Sequence, residues 1–245
     1  MSVLTLGVIA VAGFFAGLIG YVTGIASLIS YPALLAVGLP PVTANVTNTV
    51  AMVAVGVGST AKAGAAHAEQ TRTVLRHAAL SALGGGAGAA LLLCTPADAF
   101  ESVVPFLLAA TSLSLLVQPK LRELAGQRRF PLLYPVGVFA TAVYCGYFGA
   151  GAGVMFLALI LVCTSSTVWQ AGVLKSLLTG VANLVAALGF AVFGPVHWLA
   201  AAAMAVGAFA GGWCGPPVVA RLPPTVVRVA VAVCGTGLAI HLALS

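Results

Sequence analysis

The stretch VLTLGVIAVAGFFAGLIG, residues 3–20, is apolar apart from Thr5. Runs of this kind, roughly 18 to 22 residues long, recur along the chain and match the thickness of a bilayer's hydrocarbon core. Inside lipid a segment must satisfy its own backbone, so only helices and closed barrels cross. The alternating strands of about ten residues that build a barrel are absent. The sequence therefore predicts an all-α integral membrane protein. Composition agrees: 61% of the 245 residues are hydrophobic and 6% are charged, against about a quarter charged in a soluble domain. The first run lacks a basic region ahead of it and is too long for a signal-peptide core, so it is read as a mature membrane segment. No separate aqueous domain is expected, which excludes most soluble-enzyme chemistry.

Apolarity divides the chain into segments 3–22, 25–37, 43–62, 73–94 and 103–118, then 131–148, 152–164, 169–191, 196–215 and 225–243. The second and seventh are short, near 20 Å at ~1.5 Å per residue against a ~30 Å core. They are either tilted spans or arms of re-entrant hairpins. A glycine-bearing break precedes each, TGIAS at 23–27 and GAGAG at 149–153.

The net charge of +6 first suggests nucleic acid, but the charges lie in the connections. Lys62, Arg72 and Arg76 form one group, Lys120, Arg122, Arg128 and Arg129 a second, and Arg221 and Arg228 a third. The acids Glu69, Asp98, Glu101 and Glu123 are also read as connection residues. A basic excess on one side is the positive-inside pattern, which puts the three basic groups in the cytoplasm and TPADAFES and FGPVHW outside. The halves then run in opposite directions. The predicted architecture is two inverted-topology repeats of about five helical segments each, 1–118 and 131–245, joined by a basic cytoplasmic linker at 119–130, with short or broken helices near the midplane. Inverted repeats with broken helices are a transporter signature.

Lys175 stands apart from the other basic residues, inside the apolar stretch AGVLKSLLTGVANL. On a helix, Gly172, Lys175, Ser176, Thr179 and Asn183 share about 100° of arc. An offset of 127 residues (151 − 24) aligns Gly24 with Gly151 and ANVTNT at 44–49 with AGVLKS at 171–176. Asn45, Asn48 and Thr49 then form the matching stripe in the first half. Polar stripes in membrane interiors face cavities or other helices. Lys175 sits close enough to its cytoplasmic end to snorkel to the interface, and the asparagines could serve only helix pairing. The alternative is a cation for an anionic ligand, since no Asp or Glu lies in the apolar segments. The breaks could add helix-end N–H groups, which favour anions. GGGAG at 84–88 has no following Lys-Ser/Thr and reads as small-residue helix packing. Cys94, Cys145, Cys163, Cys214 and Cys234 form no CxxC and read as small buried hydrophobes. The four histidines have no metal-ligand spacing, so neither a metal nor a cofactor is expected.

Two longer stretches carry a family resemblance. TGIASLISYPALLAVGLPPVTANVTNTVA, 23–51, resembles the first repeat of the sulfite exporter TauE/SafE family of membrane permeases. GYFGAGAGVMFLALIL and AGVLKSLLTGVANLVAALGF, followed by PVHW and GAFAGGWCG, are similar to its second repeat. The resemblance covers essentially the whole chain. It implies a multi-spanning carrier in the bacterial cytoplasmic membrane that handles small sulfur-containing anions such as sulfite or organosulfonates, mostly in export. It carries the family's motif positions onto Pro32, Ala44, Asn45, Thr47 and Asn48, and onto Gly151, Gly153, Lys175 and Asn183. The first break departs from the family, with Ile25, Ala26 and Ser27 where many members have glycines.

The expected function is alternating-access transport, not enzymatic catalysis. Lys175 would supply charge, Asn45, Asn48, Thr49, Ser176, Thr179 and Asn183 hydrogen bonds, and Gly24, Gly151 and Gly153 backbone N–H groups at the breaks. Partners are a small anionic substrate and the lipid bilayer, with no nucleic acid; a homo-oligomer is compatible with the sequence. A channel-like anion pore and transport of another small organic anion are alternatives. Export of one negative charge gains about 2.3 kcal/mol per 100 mV of inside-negative potential, so uncoupled export suffices physically, and proton coupling through Lys175 is also compatible.

Overall fold

A computed structural model describes residues 1–23, 26–63, 71–123, 130 and 132–219. The described residues form helices α1 (Val3–Thr23), α2 (Ser27–Ala36), α3 (Pro41–Ala63), α4 (Thr71–Cys94), α5 (Ala97–Glu123), α6 (Leu133–Tyr147), α7 (Ala152–Cys163), α8 (Val168–Phe193) and α9 (Trp198–Val219), and no strand. Within α1, α4 and α8 lie stretches long and apolar enough to cross a membrane, Val3–Gly20, Thr73–Cys94 and Trp169–Phe193. The expected final segment, 225–243, lies outside the described residues.

The acidic connection expected outside is instead the start of a helix. Asp98 lies in the first turn of α5, and Glu101 follows within the same helix. Acids are favoured there because the helix N-terminus carries partial positive charge. α5 also runs past its apolar part to Glu123.

Small residues bring the helices close. A Cβ on Gly13 or Gly17 of α1 would strike the carbonyls of Met204 and Ala208 in α9, and one on Gly207 or Gly211 would strike those of Ala10 and Phe14. Residue numbers rise together along both helices, so α1 and α9 run parallel. GGGAG does the same in α4: Gly84 and Gly88 lie against the backbone of Phe139 and Val143 in α6, and Gly85 against Ala182 in α8. Ser81 donates to the Leu178 carbonyl at 2.7 Å, so α4 is parallel to α6 and to α8. The small-residue reading of this motif holds, and close backbone approach is how membrane helices gain packing energy without a hydrophobic drive.

α3 joins the α1–α9 pair. The Thr47 hydroxyl accepts the His197 N–H at 3.0 Å, tying the start of α3 to the start of α9. The start of α3 also meets the end of α6, where Asn45 bonds to Tyr147. The group α1, α3, α9 therefore runs opposite to the group α4, α6, α8, with α3 packed on α8 between them. The short helices follow the same plan, α2 against α1 and α3, α7 against α6 and α8. The larger buried core gathers Leu28, Tyr31 and Leu34 of α2, Phe100 and Leu108 of α5, and Phe148, and a smaller one joins α6, α7 and α8 around Val138, Phe156 and Leu178. Cys145 and Cys163 are buried as expected, whereas Cys94 and Cys214 are on the outer surface.

Candidate functional site

α8 is fixed at its start by a capping box. Thr167 accepts the Gln170 N–H at 3.3 Å, and the Gln170 side chain accepts the Thr167 N–H at 2.9 Å, which satisfies two of the donors that a helix start leaves over. Seven positions later comes Lys175, 5% exposed. It continues the row of Ala171, Leu178 and Ala182, all buried. Its side chain is thus within the protein, not on the outer face of α8 where Leu184, Leu188 and Val192 are exposed. Asn48 lies seven positions into α3, 1% exposed. At ~1.5 Å per residue each is about 10 Å from the start of its helix, the two helices entering from opposite sides.

The hydrogen bonds give each polar side chain a direction. Ser30 of α2 donates to Asn48 Oδ1 at 2.5 Å, which leaves the Asn48 NH2 group for another acceptor. Asn183 is similar: its Oδ1 takes the Cys145 thiol at 3.4 Å, leaving its NH2 group. Asn45 is the reverse. It is 1% exposed, and its NH2 group donates to the Tyr147 carbonyl at 2.8 Å. The Thr49 hydroxyl turns back to the Asn45 carbonyl at 3.0 Å and Ser176 to that of Gly172 at 3.0 Å, so both protons are engaged within their own helices. The Thr179 Oγ1 is buried and bonded to no group among the described residues. Buried hydroxyls normally find a partner.

The break between α6 and α7 is built on two left-handed glycines, Gly149 at φ +78° and Gly151 at φ +73°. Left-handed backbone costs a residue with a Cβ roughly 1–2 kcal/mol, and a Cβ on Gly151 would also strike the Thr111 side chain. Gly151 caps the start of α7, and Gly153 is buried in its first turn. The chain between the helices is held by polar groups the sequence did not single out. Thr111 of α5 and Tyr144 of α6 both reach the Ala150 carbonyl, at 3.0 and 2.7 Å, and lie 2.8 Å from each other. Tyr31 and Phe148 pack edge to face, ring centroids 5.4 Å apart. Of the expected site residues, Asn45, Asn183 and Gly151 lie at this break, Lys175, Ser176 and Thr179 lie nearer the start of α8, and Asn48 and Thr49 lie on α3. Gly24 lies outside the described residues. Thr111, Tyr144, Ser30 and Cys145 are uncharged and come from three different helices, so no spacing within one helix brings them together.

Comparison with known proteins adds an independent line. No solved structure matches the chain. It is similar to the "probable membrane transporter protein YfcA" of Escherichia coli K12, 29% identical over 93% of this chain and 86% of the relative. It is also similar to "probable membrane transporter protein ORF9" of a Sinorhizobium species, 28% identical over 84% of this chain and 79% of the relative. A "probable membrane transporter protein" of Haemophilus influenzae is 25% identical over 91% and 88%. The model of the family described as sulfite exporter TauE/SafE matches residues 9–242. With the match covering nearly the whole length of this helical membrane protein, the chain belongs to the sulfite exporter TauE/SafE family.

Proposed function

We propose that this membrane transporter moves a small sulfur-containing oxyanion, such as sulfite or an organosulfonate, out across the bacterial cytoplasmic membrane by alternating access. The moving parts are two inverted repeats, 1–118 and 131–245, joined by the basic linker 119–130. Support for the repeats comes from paired packing. α1 on α9 corresponds to α6 on α4, α3 on α9 to α8 on α4, and α1 on α2 to α6 on α7. The parallel and opposed directions of these helices fit the same exchange.

The observation that carries the reading is Lys175, a lysine 5% exposed on a membrane helix whose adjoining face is polar. A central lysine costs roughly 2.5–3.5 kcal/mol on insertion scales, and such residues commonly mark substrate pathways. In the proposed site Lys175 supplies charge. Asn48 and Asn183 offer the N–H groups left over by their other bonds, and Thr179 its hydroxyl. Asn45, Thr49, Ser176, Gly151 and Gly153 complete the wall. The inside-negative potential drives the anion outward.

The test is uptake of radiolabelled sulfite or a short sulfonate by liposomes carrying the purified protein. A lost charge-assisted hydrogen bond is worth about 1.5–3 kcal/mol, so Lys175→Gln should weaken apparent affinity by roughly 10- to 100-fold. Wild-type transport by that variant overturns the role of Lys175. Counterflow by the wild type distinguishes a carrier from a pore.

A further inference from the structure

Where α6 gives way to α7, two side-chain amide oxygens are poorly supplied with donors. The Tyr147 carbonyl can only accept, so Asn45 must turn its NH2 group to it, at 2.8 Å. The Asn45 Oδ1 is thereby directed elsewhere, and it is buried with no donor among the described residues. A buried acceptor left in this way is costly. Asn183, from the other half of the chain, brings a second amide oxygen to the same break. Its Oδ1 lies 3.8 Å from where a Cβ on Gly149 would stand, and it takes a thiol proton at 3.4 Å, a weak donor. The left-handed Gly149 and Gly151 unwind the chain here, and the carbonyl end of α6 adds partial negative charge. Phe100 of α5 packs on Tyr147 and Phe148, with ring centroids 5.7 and 6.2 Å away. It is flanked in α5 by Asp98 and Glu101, both exposed, so the end of the molecule nearest the break is acidic.

We propose that the α6–α7 break binds a dehydrated Na+ ion between Asn45 Oδ1 and Asn183 Oδ1, one ligand from each half, with unwound backbone carbonyls completing the shell. Unwound carbonyls and helix C-terminal ends are chemically suited to such an ion. The two amide oxygens can only accept, so what lies between them is a cation and not an anion. A divalent ion is disfavoured because neutral oxygens would have to offset two buried charges. Neutral amide and carbonyl oxygens suit a monovalent alkali cation, and the KCl control separates Na+ from K+. The cation site takes the oxygens of Asn45 and Asn183, without Lys175 or a transported anion, and so goes beyond the oxyanion assignment.

The experiment is thermal unfolding of the purified full-length protein in detergent, titrated with NaCl against choline chloride at constant ionic strength and with no oxyanion present. A ligand that binds the folded state raises the unfolding temperature with its concentration. The expected result is a saturable rise in Na+ that KCl does not reproduce. Asn45→Ala and Asn183→Ala should each abolish it, and Glu101→Gln should shift the titration to higher Na+ at low ionic strength. Equal behaviour of NaCl and choline chloride in the wild type, meaning that water alone serves the Asn45 oxygen, overturns the proposal, as does a K+ response equal to that of Na+. The wild-type titration decides the matter even if the alanine variants fail to fold. A Na+ response in both alanine variants also overturns it. Since none of these readings involves transport, failure of the oxyanion assignment leaves them unaffected.

Discussion

Ala150 lies between two left-handed glycines, so its carbonyl points out of any helical ladder into a water-poor interior. Two hydroxyls reach it, Tyr144 at 2.7 Å and Thr111 at 3.0 Å, the single Thr111 proton being shared with the Leu107 carbonyl at 2.8 Å. Either one alone can satisfy the oxygen; neither leaves it bare. Thr111→Val should therefore cost about 1 kcal/mol, as should Tyr144→Phe, the net value of one hydrogen bond. The double variant leaves a buried carbonyl without a partner and should exceed the sum by a further ~1–3 kcal/mol. Reversible unfolding in mixed micelles of increasing SDS fraction measures all three. Additive losses would mean that the two hydroxyls do not share the task. The break itself was legible from GAGAG, because glycine clusters interrupt helices. Its clasp was not, since Thr111 and Tyr144 lie in different helices, 33 residues apart in sequence. Asn45 and Asn183 were legible as polar residues in lipid-spanning segments, but not the direction of their amides, which depends on Tyr147 and Cys145 across the interface.

Helix edges in the sequence were found wherever hydrocarbon and helix end together. The expected segments 3–22, 73–94 and 169–191 differ by no more than two residues at either end from Val3–Thr23, Thr71–Cys94 and Val168–Phe193. They diverge at α5, expected at 103–118 and found at Ala97–Glu123. Apolarity marks the part of a helix within lipid, whereas backbone hydrogen bonding continues through Asp98 and Lys120 on either side. Which glycines touch which helix was beyond the sequence. Gly7 and Gly88 look alike in composition, yet a Cβ on Gly7 meets nothing within 4 Å and one on Gly88 strikes the Val143 carbonyl. Gly7→Ala should be neutral or stabilising by up to ~1 kcal/mol, because alanine loses less backbone freedom in a helix. Gly88→Ala must push α4 and α6 apart and should cost roughly 1–3 kcal/mol, the usual range for overpacking. The same SDS unfolding reports both; equal effects would place the α4–α6 contact elsewhere.

At the scale of the molecule, two independent arguments fix which ends share a side. Positive-inside counting puts the Arg76 region within the cell and the start of α5 outside. Packing says the same without charges. α4, α6 and α8 run parallel, through Gly84 on Phe139 and Ser81 on Leu178, so their starts lie together. α1, α3 and α9 also run parallel, through Gly17 on Ala208 and Thr47 on His197, and their starts lie at the opposite end because Asn45 meets the end of α6. Single cysteines placed in a variant without native cysteines separate the two ends. Arg76→Cys and Ser165→Cys, at exposed positions near the starts of α4 and α8, should react with an impermeant maleimide only after the cells are opened. Glu101→Cys and Pro195→Cys, exposed near the starts of α5 and α9, should react in intact cells. Intact-cell labelling at Arg76 and Ser165 with none at Glu101 and Pro195 would invert the charge argument and leave the packing argument standing. Labelling of Arg76 and Ser165 from different sides would break the packing argument, and with it the opposed halves that alternating access requires.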